Sequence, residues 1–209
     1  MRARNAVRWG LLAIGLFAAA SMVGCSTSGQ AASLDSKHLL LRKGAVEQLA
    51  KKEDMSNYDD LVAVLRDDPE RLVRSQAAFS LGRLGQTYYS VGFYPLVDAL
   101  ENDSSAFVRA AAALSLSYTR DSRAIAPLVR ALGDSARGEM AVKDGDKVTV
   151  YKACVADAAR ESLERILEMK IASSEDTTEA QRSEIARTWQ QWYASKAHML
   201  PSETALASR

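Results

Sequence analysis

Chemistry in this chain would have to come from few side chains. Its 209 residues hold two histidines, His38 and His198, and two cysteines, Cys25 and Cys154. A metal site or a hydrolytic triad needs several His, Cys, Asp or Glu side chains at ligand or hydrogen-bonding spacing, and neither histidine stands beside a carboxylate motif. Cys154 lies in Tyr151-Lys152-Ala153-Cys154-Val155-Ala156-Asp157-Ala158-Ala159. That segment reads as a small-residue helix with a buried, inert thiol in preference to a nucleophile. Asp67 and Asp68 could form an acid and base pair, but their place ahead of a helix assigns Asp68, like Asp103, to first-turn N–H groups. Gly82 and Gly85 follow no strand and are explained by a helix end, which excludes a phosphate-cradling loop. The expectation is a protein that is not an enzyme, with no catalytic residue, no metal and no cofactor.

Cys25 is the one residue placed for a defined covalent chemistry. Arg2, Arg4 and Arg8 precede an apolar and small stretch from Trp9 to Val23, closed by Ser21-Met22-Val23-Gly24-Cys25. The pattern resembles the lipobox of bacterial lipoproteins, with Met22 where Leu is usual. The resemblance implies cleavage behind Gly24 and diacylglycerol on the Cys25 thioether. The apolar run is 15 residues long, short of the roughly 20 that span a bilayer; a soluble secreted protein or an uncleaved anchor is the alternative. Ser26 stands where an Asp would signal inner-membrane retention, so the expected location is the cell envelope, lipid-anchored, in the outer membrane facing the periplasm in preference to the inner membrane. Two acyl chains anchor stably without a basic patch. Loss of residues 1–24 removes three arginines and no acid, turning 27 basic and 26 acidic residues into 24 and 26, a net charge of −2. That balance gives no electrostatic case for nucleic acid. Cys154, alone after lipidation of Cys25, has no intrachain disulfide partner.

The elements that would carry any binding surface come from an internal repeat. Leu65-Arg66-Asp67-Asp68, Val73-Arg74, Ala77-Ala78 and Ser80-Leu81 recur as Leu100 to Asp103, Val108-Arg109, Ala112-Ala113 and Ser115-Leu116 at a constant offset of 35. Tyr94-Pro95-Leu96-Val97-Asp98-Ala99-Leu100 recurs as Ala126 to Leu132 at an offset of 32, the difference marking a loop insertion. Residues 65–97, down to Leu81-Gly82-Arg83-Leu84-Gly85, resemble the HEAT repeat in the variant associated with phycobilisome lyases, and residues 100–129 follow the same pattern. Leu40-Leu41-Arg42, Ala45, Leu49 and Leu61-Val62 to Leu65 read as a degenerate first unit, and Val155 to Leu163 as the inner helix of a last one. HEAT-type iron hydroxylases carry His-Glu pairs that this chain lacks.

Val73, Ala77, Leu81 and Leu84 fall on one helical face, and Leu96, Val97 and Leu100 supply its partner helix. Pro69 suits a first helical turn. The fold class is therefore all-α: a short HEAT-like α-solenoid of about four helical hairpins. Residues 136–150 interrupt the last unit, and the alternation of Met140 to Val150 around Asp144-Gly145 predicts a small β-hairpin insertion. Thr178 with Gln181 forms a capping box, opening a C-terminal helix whose Ile185, Trp189, Trp192 and Tyr193 close the array. The organisation is a signal peptide over 1–24, lipidated cysteine and linker over 25–33, the repeat domain over 34–172, the capping helix over 173–198 and a disordered tail over 199–209.

The HEAT resemblance implies that the second helices line the concave side. Positions there that packing does not use are Phe79, Arg83, Leu114 and Tyr118, joined by Arg160 of the last unit. Phe79 and Leu114 would form an apolar patch and the arginines a clamp for a carboxylate or an extended peptide; the alternative is that curvature buries Phe79 and Leu114. Tyr88, Tyr89, Phe93 and Tyr94 crowd the inserted loop and would form a second interaction surface or pack onto the helices. Asp35, Arg74 and Arg109 read as exposed ladder contacts between turns. The function expected is a membrane-anchored, non-enzymatic scaffold that binds an envelope protein or peptide segment. A self-associating structural lipoprotein, or an accessory subunit of an envelope enzyme, is the alternative.

Overall fold

The computed structural model describes residues 34–52, 54–119, 121–144, 147–169 and 178–200. The signal-like segment, Cys25 and the linker lie outside the described residues, as do Gly145, Asp146, 170–177 and the tail from 201. The chain divides into two compact units, residues 1–45 and 46–209. In the first, Arg42 Nη1 donates to the Ser36 carbonyl at 2.7 Å near the start of helix α1, Leu39–Lys52. Asp35 is exposed there.

The second unit stacks helical hairpins. Helices α2 (Tyr58–Asp67) and α3 (Arg71–Thr87) pair, then α4 (Phe93–Asn102) and α5 (Ala106–Leu116), then α6 (Ile125–Ala131) and α7 (Val155–Leu167). Leu61 to Leu65 thus belong to the first helix of the unit that α3 completes. Second helices pack on second helices, α3 on α5 and α5 on α7, while α4 touches α2 and α6 in the first-helix layer. Val73, Ala77, Leu81 and Leu84 are buried, as are Val108, Ala112 and Leu116 and then Val155, Ala159 and Leu163. Each hairpin hides its apolar stripe against the next, so no unit is stable without a neighbour.

Small residues set the helix separation. A Cβ on Gly82 would lie 2.9 Å from Ser115 Cβ, and one on Gly85 would lie 2.5 Å from the Val91 carbonyl oxygen. Both glycines sit inside α3, so close approach of α5 and of the loop after α3 accounts for them, and a helix end does not. The turns also differ from expectation. Asp68 and Asp103 accept the backbone N–H two residues on, from Glu70 and Ser105, which are themselves the N-caps. Pro69 precedes the N-cap and lies outside the first turn. The aspartates thus turn the chain ahead of the N-caps.

Between units the same turns carry a ladder. Arg74 donates to both Asp103 oxygens at 2.8 and 3.0 Å, and Arg109 reaches Asp134 at 2.8 and 3.4 Å. Each arginine also donates to a carbonyl of its own turn, Asp68 or Asp103. The Arg74 and Asp103 side chains are 11% and 8% exposed. These are covered, bidentate pairs, unlike the exposed contacts expected from the sequence.

The insertion is a two-stranded antiparallel hairpin, β1 (Arg137–Asp144) and β2 (Lys147–Cys154), in register from Arg137 opposite Cys154 to Asp144 opposite Lys147. It extends four residues beyond the expected end. Gly138 seats it: a Cβ there would stand 2.5 Å from the Phe107 backbone N. Cys154 ends β2 and caps α7, half-buried, instead of lying inside a helix. Helix α8 (Glu179–Lys196) starts at the Thr178–Gln181 capping box and packs on α6. Trp189 is fully buried, edge-to-face with Trp192 at 5.6 Å.

Candidate functional site

The second helices bring equivalent positions into rows. The offset of 35 relates Phe79 to Leu114 and Arg83 to Tyr118. Beyond the hairpin the offset becomes 47, matching Val108 to Val155, Ala112 to Ala159, Ser115 to Ser162 and Leu116 to Leu163. It carries Leu114 to Glu161 and Tyr118 to Arg165. The contacts agree with that register: Ser162 Oγ donates to the Ala113 carbonyl at 2.8 Å and Arg165 Nη1 donates to Ser117 Oγ at 2.9 Å. One row is therefore Phe79, Leu114, Glu161 and the next Arg83, Tyr118, Arg165.

Phe79 and Leu114 are half-buried, between the two sequence alternatives of an open patch and full burial. Arg83 and Tyr118 are exposed. The Arg165 guanidinium sits 5.1 Å from the Tyr118 ring centroid, and its Nη2 donates to Glu161 at 2.8 Å. A cation over an aromatic face is attracted by the ring quadrupole, so Tyr118 and Arg165 are held as a pair. Arg160 is corrected out of the surface. It is equivalent to Ala113, its side chain is mostly covered, and it pairs with Glu164 at 3.1 Å. Arg165, missed in the sequence, takes its place; the shift in offset from 35 to 47 was the signal that could have found it.

The aromatic loop divides. Tyr88 is exposed and Tyr89 is 68% exposed, whereas Phe93 is 2% exposed and opens α4. Phe93 is thus no part of an interaction lip: it packs in the core, 4.4 Å below the Arg123 guanidinium. Gly92 makes the entry, with φ of +84°, and a Cβ there would stand 2.9 Å from the Leu81 carbonyl oxygen. Arg123 Nη1 donates to Tyr94 Oη at 3.2 Å, and its Nε donates to both Asp121 oxygens at 3.0 Å. Burial alone would raise the Asp121 pKa, but the hydrogen bonds and charge of Arg123 outweigh it and hold the carboxyl below its ordinary value. The loop is in this way fastened to the next unit.

His38 and His198 are exposed on separate elements, and among the described residues no three His, Cys, Asp or Glu side chains group as metal ligands. Among those residues no helix is long and apolar enough to cross a membrane. What the geometry defines is a helical-repeat array presenting a continuous side-chain row. The family model for HEAT repeats matches residues 58–142. Among solved structures, the chain is similar to the complex of CpcE and CpcF of phycocyanin lyase from Nostoc sp. PCC7120, at 27% identity and a TM-score of 0.48. The match covers 66% of this chain and 52% of that one, so this chain spans about half the length of the chain it matches. No curated protein matches the sequence.

Proposed function

We propose that this protein is a lipid-anchored, non-enzymatic docking module of the bacterial cell envelope that holds a partner protein, or a segment of one, on its second-helix face. The observation that carries the reading is the double row of half-buried Phe79 and Leu114 beside exposed Arg83 and the paired Tyr118 and Arg165. Aromatic and arginine side chains flanking partly desolvated apolar groups are the composition of binding hot spots. HEAT repeats supply such a surface as an extended stack. Cys25 would carry the lipid, in the outer membrane facing the periplasm.

The test is a crosslinked pull-down from detergent-solubilised membranes with the lipidated chain and a Phe79→Asp/Arg83→Glu version of unchanged far-UV circular dichroism. Recovery of one envelope protein should fall about tenfold or more in the double variant, the loss expected of truncated hot-spot residues. Equal recovery by both forms rejects this face. Exposed Tyr88 and Tyr89 favour the loop as the second candidate surface, and Tyr89→Ser would then be the variant that loses the partner.

A further inference from the structure

The first-helix layer holds a feature that the docking row does not use. Along α2 and α4 runs an open groove of about 460 Å³, within the size range of small-ligand sites, roughly 300–1,000 Å³. Val62, Leu65, Pro95 and Ala99 form its floor, and Tyr94, Arg66, Asp98 and Asn102 stand around it. One unit further on, the corresponding positions are bridged: Arg130 of α6 donates to Glu101 of α4 at 2.6 and 3.1 Å. The repeat offsets make Arg66 equivalent to Glu101 and Asp98 equivalent to Arg130, the same pair with its charges exchanged. That pair is not closed. Arg66 turns to Asp67 through three hydrogen bonds of 3.2 Å, and Asp98 Oδ1 accepts from Asn102 at 2.8 Å.

Tyr94 is the other half of the argument. The residue is 55% exposed, yet its ring is fixed edge-to-face on Phe93 at 5.1 Å, with the Arg123 guanidinium 5.4 Å from its centroid and a hydrogen bond from Arg123 to its hydroxyl. An aromatic ring held in place by its covered side and open on the other offers a preorganised stacking surface. The polar groups beside it carry no excess of positive charge, because Arg66 is matched by Asp67 and Asp98 is acidic. Both walls are helical, so their mid-helix main-chain groups are already hydrogen-bonded and only first- and last-turn groups are open; an extended peptide would find no continuous row of backbone partners there. A pyranose meets these conditions: its C–H face is apolar, and its hydroxyls both donate and accept.

We infer that the groove between α2 and α4 binds a neutral saccharide, with a pyranose stacked on Tyr94 and its hydroxyls shared among Asp98, Asn102 and Arg66. The site is independent of the second-helix row. The full chain is titrated calorimetrically with β-1,4-linked trisaccharides of glucose, N-acetylglucosamine and mannose in turn. Saturable one-to-one binding of at least one is expected, weakened about tenfold by Tyr94→Ala and, separately, by Asp98→Ala. Because Tyr94 also supports Arg123, the exposed Asp98 provides the variant that leaves packing intact. Absence of saturable binding to all three sugars, or equal affinity in both variants, overturns the assignment. Saturable binding of an arginine-rich peptide in place of the sugars would also overturn it, giving the groove to a protein segment.

Discussion

Asp121→Ala should destabilise the folded array by about 3–5 kcal/mol, the loss typical of removing one partner from a buried ion pair. Asp121 and Arg123 are 2% and 5% exposed. The variant leaves the Arg123 guanidinium buried between Phe93 and Tyr94 with only the Tyr94 hydroxyl to accept from it. It also releases the Arg123 backbone N–H, which the same carboxylate accepts at 3.0 Å. Chemical denaturation at neutral pH measures the difference. The pH dependence follows from the sign of the shift. The folded carboxyl lies below its ordinary value, so its contribution is complete above the unfolded value of about 3.9 and is lost as the pH falls through the folded one. The gap between parent and variant should therefore narrow as the pH falls below about 3.9, and a gap in acid as large as the one at neutral pH would refute the assignment. Asp121→Ala combined with Arg123→Met should cost much less than the sum of the two single changes, because the double variant buries no lone charge.

How much of this was legible in the sequence depends on range. The repeat offset of 35 and the stripe of Val73, Ala77, Leu81 and Leu84 located the helices and the core, because both are local consequences of helical periodicity. The capping box at Thr178 and the hairpin ahead of α7 were readable for the same reason. What failed depended on what another element places opposite. Gly82 resembles a helix-end glycine until α5 puts Ser115 against it. Phe93 looks like part of an aromatic lip until Arg123, 30 residues on, covers its ring. Arg160 and Arg165 lie on the same helix, and only the register imposed by Ser162 on Ala113 and Arg165 on Ser117 tells which one faces out. The surface rows were half legible, since Phe79 and Tyr118 follow from the first offset while Arg165 needs the second.

Register also explains why the ladder stops. Arg74 and Arg109 each join their own turn to the next through Asp103 and Asp134, but the position equivalent to Arg109 in α7 is Ala156. The hairpin begins just after Asp134, and Asp134 Oδ1 accepts the Ala136 N–H at 3.0 Å. Asp134 is thus the last rung and the start of the insertion. With no further rung, the array must be closed by other means, and α8 supplies them: Trp189 packs in the core, and Arg182 approaches Asp157 of α7 at 3.6 Å.

Trp189→Ala consequently tests the cap, with an expected cost of about 3–5 kcal/mol for truncating a fully buried tryptophan. The indole is fully buried on the helix that packs on α6, and its loss leaves both a cavity and an unsupported Trp192. In an array whose units contact only their neighbours, removal of an end cap weakens that end first and the remainder by propagation. Hydrogen exchange should show α8 and α6 losing protection before α3 and α5, and limited proteolysis should cut ahead of α8 in the variant and not in the parent. Uniform loss of protection across all helices would mean instead that the array unfolds as one unit. Trp189→Phe keeps most of the buried area and should recover more than half of the lost stability, since the Nε1 of Trp189 is buried without a hydrogen-bond partner and contributes nothing polar to replace.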